Sequence, residues 1–370
     1  MKSAWVFCFN HGSDDQQSVN IVVTEILNSI HSSPMRAPTS NEKTYAFPKS
    51  VEDAIAPDNI SLNTLKWSIF QLINQAANTD MLPAKIIQNY KKDPEKYKDV
   101  YTNPDKRRTF LEYLSLSREE TAALRVMCRT QGVTITNALS AAILILTSTF
   151  FQNGFSKDGA VLSLKEKNLR FLLSVGLRPF GAKGSEANGR NNAVTDWTEG
   201  TVACASGAVD FVVSVPASTA TPQGEAVSND AFWALAKTCK QKSNDIIEVE
   251  DYVPESVRLF GLGMKYADIL TIVDLESKNP GTMGRGFACG VSNVGLVNLP
   301  VPPTKGPSAL SIVEGYYGTS HSRNGVFCML SSMTVGEKFC GCLQFTSPFI
   351  NEQDALLFKE ALLRTILTLS

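Results

Sequence analysis

The stretch TNALSAAILILTSTFF at 136–151 constrains this chain more than any other, because it has helical length and no polar side. A helix that is apolar all round has to be enclosed on every face. It is also shorter than a typical bilayer crossing. The reading is therefore an interior helix of a globular body, with no membrane span.

Around that helix the chain alternates strand and helix signals. AWVFCFN at 4–10 is a continuous apolar run ending on the polar cluster HGSDDQQ, as a buried strand does when it delivers its last residues to a turn. From Ser18 the period changes: Val19, Val22, Val23, Ile26, Leu27 and Ile30 fall on one face of an amphipathic helix. Asp14 and Asp15 precede it, where carboxylates suit the positive end of the dipole. Residues 32–60 carry four prolines and little periodicity, as a connecting segment would, and 61–77 has helical spacing. NYKKDPEKYKDVYTNPDKRR at 89–108 reads as a solvated linker.

Further along, TFLEYLS at 109–115 alternates as a strand, and Ser117 with Glu120 matches a capping box for a helix that Gly132 ends. LRFLLSVGLRP (169–179) and DFVVSVPAS (210–218) read as buried strands. Residues 181–208 read as a loop, and Asn229 and Asp230 are candidate caps for the helix that follows. Strands are predicted at 286–298, 310–318, 325–333 and 338–346, with Gly336 in the last hairpin and a closing helix at 351–368. The order specifies an α/β (α+β layered) protein with mixed sheets flanked by helices.

Composition narrows the function classes. A chain of 370 residues exceeds one ordinary core, so two domains are expected. A formal net charge of −1 gives no footprint for nucleic acid, which leaves small molecules and proteins as partners. The eight cysteines include no C-x-x-C, so they read as buried free thiols in a reducing compartment, with no metal site. No signal peptide or span is visible, and the expected location is cytoplasmic.

Only three histidines can supply base chemistry: His11, His31 and His321. His31 suits a helix C-terminus, and His321 lies in a polar loop, GTSHSRNG. His11 differs, standing where a buried strand meets a polar turn, four residues before Asp15. A neutral imidazole there could take the proton of an attacking hydroxyl or amine.

VFCFNHGSDDQQSVNIVVTEIL resembles the H-x-x-x-D segment of the chloramphenicol-acetyltransferase-like superfamily, with Asn10 and Gln16 at positions where members often have histidine and glycine. LSLSREETAALRVMCRTQGVTITNALSAAILIL (114–146) is similar to the paired helices opening the second domain of these enzymes, and LRFLLSVGLRPF (169–180) to their central strand. DAFWALAKTCKQ (230–241) and GVSNVGLVNLP (290–300) are most similar to the fungal alcohol acetyltransferase branch.

The resemblance implies a two-domain fold sharing a tunnel, with an incomplete first domain, since members carry a longer stretch ahead of this strand. Residues 1–60 would be the remainder of that domain, 61–108 a helix and linker, and 109–370 the second domain. It implies transfer of an acyl group, acetyl first, from acyl-CoA as co-substrate to a small-molecule alcohol or amine in fungal-type metabolism, with no bound cofactor. His11 would be the general base and Asp15 a structural partner. Asn293 and Gly295 would shape the wall near the substrate, and Ser320 or Ser322 would steady the oxyanion. Two alternatives share the resemblance: a catalytically impaired or repurposed binding homologue, and a condensation-type enzyme taking its donor from a carrier-protein thioester.

Overall fold

The computed structural model describes residues 6, 16–31, 59–66, 68–69, 79–154, 165–180, 205–217, 228–249, 252–300, 310–320 and 323–369. Within them the apolar stretch forms the helix its composition demands. α5 (Ile135–Asn153) is buried from Asn137 to Phe151. Its start is fixed by Thr134, whose hydroxyl accepts from the Asn137 amide while Asn137 Oδ1 accepts from the Thr134 amide. Before it, α1 (Gln16–His31), α2 (Ala84–Lys92), α3 (Pro94–Tyr101) and α4 (Arg118–Thr130) are formed. The expected capping box opens α4, with Ser117 Oγ accepting from Glu120 N at 3.1 Å and Ser117 N donating to Glu120 Oε2 at 2.7 Å.

Among the described residues, six strands make one mixed sheet in the order β1-β6-β5-β4-β2-β3. They are β1 (Arg108–Ser115), β2 (Lys167–Gly176), β3 (Ser206–Val215), β4 (Arg285–Val297), β5 (Gly325–Val335) and β6 (Lys338–Ser347). β1, β2, β4 and β5 run in one direction, and β3 and β6 run against them. β5 and β6 are joined by a tight turn at Gly336, as their sequence predicts. The helices α5, α6 (Asn229–Ile247) and α9 (Glu352–Leu369) cover one face of this sheet. Period-2 alternation gives that face Leu169, Phe171, Val213, Cys289, Leu330, Leu343 and Phe345, all buried in one core with α5. The helices α7 (Tyr252–Tyr266) and α8 (Ile269–Lys278) turn Phe260, Tyr266, Leu270 and Leu275 outward.

Three expectations change. The stretch read as a solvated linker folds as α2, α3 and a 3-10 turn at Pro104–Lys106. Asp93 caps α3 through Lys96 N, and Pro94 occupies the first helical turn where a proline N–H is not needed. Ile86 and Tyr101 then join the core. The cap of α6 is Ser228 rather than Asn229 or Asp230. Residues 310–320 form no strand and lie over a face of the sheet instead of along an edge. The predicted strand at 4–10, save Val6, lies outside the described residues, as do residues 181–204 of the predicted loop at 181–208, whose end from Ser206 instead opens β3.

Two arginines are buried where the hydrophobic core meets the ends of these helices. Arg107 is 2% exposed and Arg285 0%. Both lie over the Phe349 ring, at 5.2 and 5.5 Å from its centre. Arg107 Nη2 donates to Tyr101 O at 2.7 Å and to Ser277 O at 2.6 Å, and Nη1 donates to Arg323 O at 2.9 Å. Tyr101 ends α3 and Ser277 lies in the last turn of α8, so the cation meets the negative ends of two helix dipoles. Burial presses Arg107 down to about 10 and Arg285 down to about 9, with each guanidinium still protonated at neutral pH. Gly284, at φ +78°, admits the Arg323 carbonyl to 2.3 Å of where a Cβ would stand.

Arg107→Leu is expected to destabilise the protein by about 3 kcal/mol, because several buried carbonyls lose their donor at once. Ser117→Ala is expected to cost about 1 kcal/mol through its cap alone. Urea unfolding of both variants measures the difference, and equal midpoints would contradict it.

Candidate functional site

α1 is the element that organises the far side of the sheet. Its first turn is held by Arg178, which follows β2 directly and donates from Nη2 to Ser18 Oγ at 3.1 Å. Both side chains are buried. Its last residue, His31, places Nε2 at 2.9 Å from Leu310 O. Residues 310–320 begin beside the C-terminal ends of β4 and β5, where Ile312 packs against Val297 and Val335. α1 therefore crosses the C-terminal edge of the parallel strands β2, β4 and β5. A helix of this length spans about 24 Å, ample for three strands at about 4.8 Å spacing. In sheets with parallel strands, this edge is where ligands are commonly held. An open depression lined by Phe110, Pro348, Ile350 and Glu352 lies at the opposite edge, away from α1.

His11, Asp15 and Ser322 lie outside the described residues. Asn293 and Gly295 are brought together at the C-terminal end of β4, where the β4–β5 register shifts between Asn293 and Leu296. Gly295 has φ +82° and donates its amide to Asn293 Oδ1 at 3.1 Å. Asn293 Nδ2 donates to Thr136 Oγ1 in the first turn of α5, at 3.0 Å. Asn293 thus faces the helices and ties β4 to α5. Its neighbour Ser292 faces the other side, where Tyr317 Oη donates to its carbonyl at 2.7 Å and shares a 2.9 Å contact with its hydroxyl. Ser320 is exposed, with Oγ at 3.2 Å from Thr109 Oγ1, at the β1 side of that second face.

That second face is polar and buried. Ser331 and Gln344 sit on neighbouring strands, with Gln344 Nε2 donating to Ser331 Oγ at 2.6 Å. Gln344 Oε1 in turn accepts from Thr319 N at 2.6 Å. Burial pushes the Tyr317 phenol up to about 12, so it stays a neutral donor across the working pH range. Cys340 and Cys342 share this face, as their spacing predicts, and burial raises both thiols, Cys342 to about 12. Cys128 and Cys239 are pushed up by burial to about 11 and about 12, and Cys289 and Cys328 higher still. A thiolate is the reactive form of cysteine, so none of these described thiols suits nucleophilic catalysis.

Arg178, Ser292 and Gln344 are the residues that sequence reasoning missed. Arg178 ends the L-R-P strand segment, where an arginine after a buried run signals a placed cation. Ser292 is next to Asn293 on an alternating strand, and the face of each depends on register. Nothing in the sequence marks Gln344.

No family model and no curated protein sequence matches the chain. Solved structures do. The trichothecene 15-O-acetyltransferase of Fusarium sporotrichioides is similar at TM-score 0.60 and 11% identity, over 96% of this chain and 64% of that one. Polyketide synthase associated protein 5 of Mycobacterium tuberculosis is similar at TM-score 0.51 and 13% identity, over 97% of this chain and 71% of that one. The chain thus spans just under two thirds of the acetyltransferase's length. The mixed sheet with its flanking helices has the chloramphenicol-acetyltransferase-like fold that the sequence led us to expect.

Asn293→Ala is expected to lower stability by about 2 kcal/mol, because it strips partners from Thr136 Oγ1 and the Gly295 amide. Thermal unfolding checks this; an unchanged Tm would return Asn293 to the wall-shaping role its motif implies.

Proposed function

We propose that the chain is an acyltransferase, moving an acyl group from a CoA thioester to the hydroxyl or amine of a small molecule, with His11 as general base. The observation that supports this most is the seating of α1. The helix is fastened at both ends across the C-terminal edge of β2, β4 and β5, and Asp15 is the residue immediately before it. His11 is five residues ahead of Gln16, which bounds its distance from the start of α1 at about 18 Å. Arg178 is then a positioning residue, holding the turn of helix that the H-x-x-x-D segment leads into.

The chemistry needs little more. A neutral imidazole accepts the proton of the acceptor as its oxygen or nitrogen attacks the thioester carbonyl. The tetrahedral adduct collapses by breaking the C–S bond, and the proton on the imidazolium passes to the departing CoA thiolate. No covalent enzyme intermediate is required, which agrees with the raised, unreactive thiols among the described residues. Hydroxyls on the second face nearer to α1 are those of Ser292 and Tyr317, whereas Ser320 stands at the opposite edge of that face, beside Thr109.

A second reading, a homologue that binds an acyl-CoA or a protein without turning it over, is favoured by the structural use of Asn293 and Gly295. A carrier-protein thioester as donor is a variant of the first reading.

His11→Ala is expected to lower the rate of thiol release from acetyl-CoA, with a panel of alcohols and amines, by about 100- to 10,000-fold. Its circular dichroism and Tm should match the parent. An unchanged rate would overturn the assignment. Acetyl-CoA and longer acyl-CoAs should raise the Tm of the parent chain; a raised Tm without turnover selects the second reading, and no rise with any of them removes CoA as donor.

A further inference from the structure

Residues 310–320 lie along the second face of the sheet without a single ladder pairing to the described strands. What fastens them is a series of side-chain contacts. At the start, Leu310 O meets His31 Nε2. Ile312 and Tyr317 pack on Val297, Met333 and Val335. Gly315 brings the backbone close enough that a Cβ would stand 3.0 Å from Met333 Sδ and 3.1 Å from Val335 Cγ2. Glu314 pairs with Lys338, and the Tyr316 ring meets Tyr113 edge-on at 5.2 Å. At the far end Tyr317 Oη holds Ser292, Thr319 N and Oγ1 hold Gln344 Oε1, and Ser320 meets Thr109.

A strand in a ladder exchanges backbone bonds residue by residue, and can be loosened only by opening the ladder. This segment shares no such bonds with the described strands. Its fastenings are point contacts, and the hub among them is Gln344, fixed from below by Ser331. The segment is tied both to the sheet and, through His31, to the end of α1.

We propose that residues 310–320 are a strap that docks and releases as a unit with the C-terminal end of α1, so that freeing one end loosens the other. Gln344 is the positioning residue that holds the docked state. Release would uncover the hydroxyls of Ser292 and Ser331 and loosen the helix that crosses the strand ends. Its meaning for catalysis rests on the acyltransferase reading, but the device itself does not.

Hydrogen exchange read by mass spectrometry on the full chain tests it, with no substrate needed. Gln344→Leu keeps the side-chain volume and removes the hub. Exchange in a peptide spanning 313–320 should rise at least about tenfold, equivalent to about 1.4 kcal/mol. Exchange in the last turns of α1 should rise with it, while β5 and β6 stay protected. His31→Ala, made at the other end, should raise exchange at 316–320 as well. If Gln344→Leu leaves α1 unchanged, or His31→Ala leaves 316–320 unchanged, the contacts are independent and the proposal fails. Should Gln344→Leu loosen β5 and β6 too, the same comparison is read in Tyr317→Phe, which removes one hydroxyl from the strap.

Discussion

α5 has no polar side, and a helix of that kind obliges the rest of the chain to surround it. The sheet supplies one wall, through the residues of β2, β4, β5 and β6 that alternate inward. α6 and α9 supply others, with Trp233 and Phe358 among the buried side chains they bring. Phe150 and Phe151 close the far end of α5 against Phe327, at ring separations of 5.7 and 5.0 Å. Because α5, α6 and α9 together cover the helix-side face of the sheet, the opposite face and the strand ends are left for binding and chemistry. α1 and the strap occupy just those places.

The division of labour between faces explains which residues could be read in advance. The helix side obeys composition and periodicity, and α4, α5 and the strands of the sheet follow their sequence patterns closely. Caps are nearly as legible, since Ser117 and Glu120 satisfy each other within one turn. Failures came where a long-range partner decides. Pro94 could break a helix or begin one, and Asp93 with the buried Tyr101 settles the choice. The stretch 310–318 has strand-like composition, yet side-chain bonds to Gln344 and Ser292 claim it for a face instead of an edge. The site residues divide the same way. Asn293 and Gly295 were visible as a motif, but their side of the strand was set by register with β5 and by Thr136, 157 residues away.

The second face places polar side chains in a buried setting, where an unpartnered group is costly. Gln344 shows how the cost is met: its amide nitrogen serves Ser331 and its oxygen serves Thr319. Networks of this kind fix one arrangement sharply when every member is satisfied. The same interdependence makes the contacts at the two ends of the strap sensitive to each other. A long polar side chain reaching from the sheet does here what a backbone ladder does elsewhere, with fewer bonds and a lower barrier to release.

Among the described residues, the guanidinium of Arg107 is bound by main-chain carbonyls and an aromatic ring. Every amino acid carries a carbonyl, so positions 101, 277 and 323 can drift in identity and still present the same oxygens. Evolution can thus rewrite the partners without touching the lock, provided the arginine and the backbone path stay. A joint of this type leaves almost no correlated trace in sequence. Such a joint holds a fold in place while leaving the identities of its partner residues free.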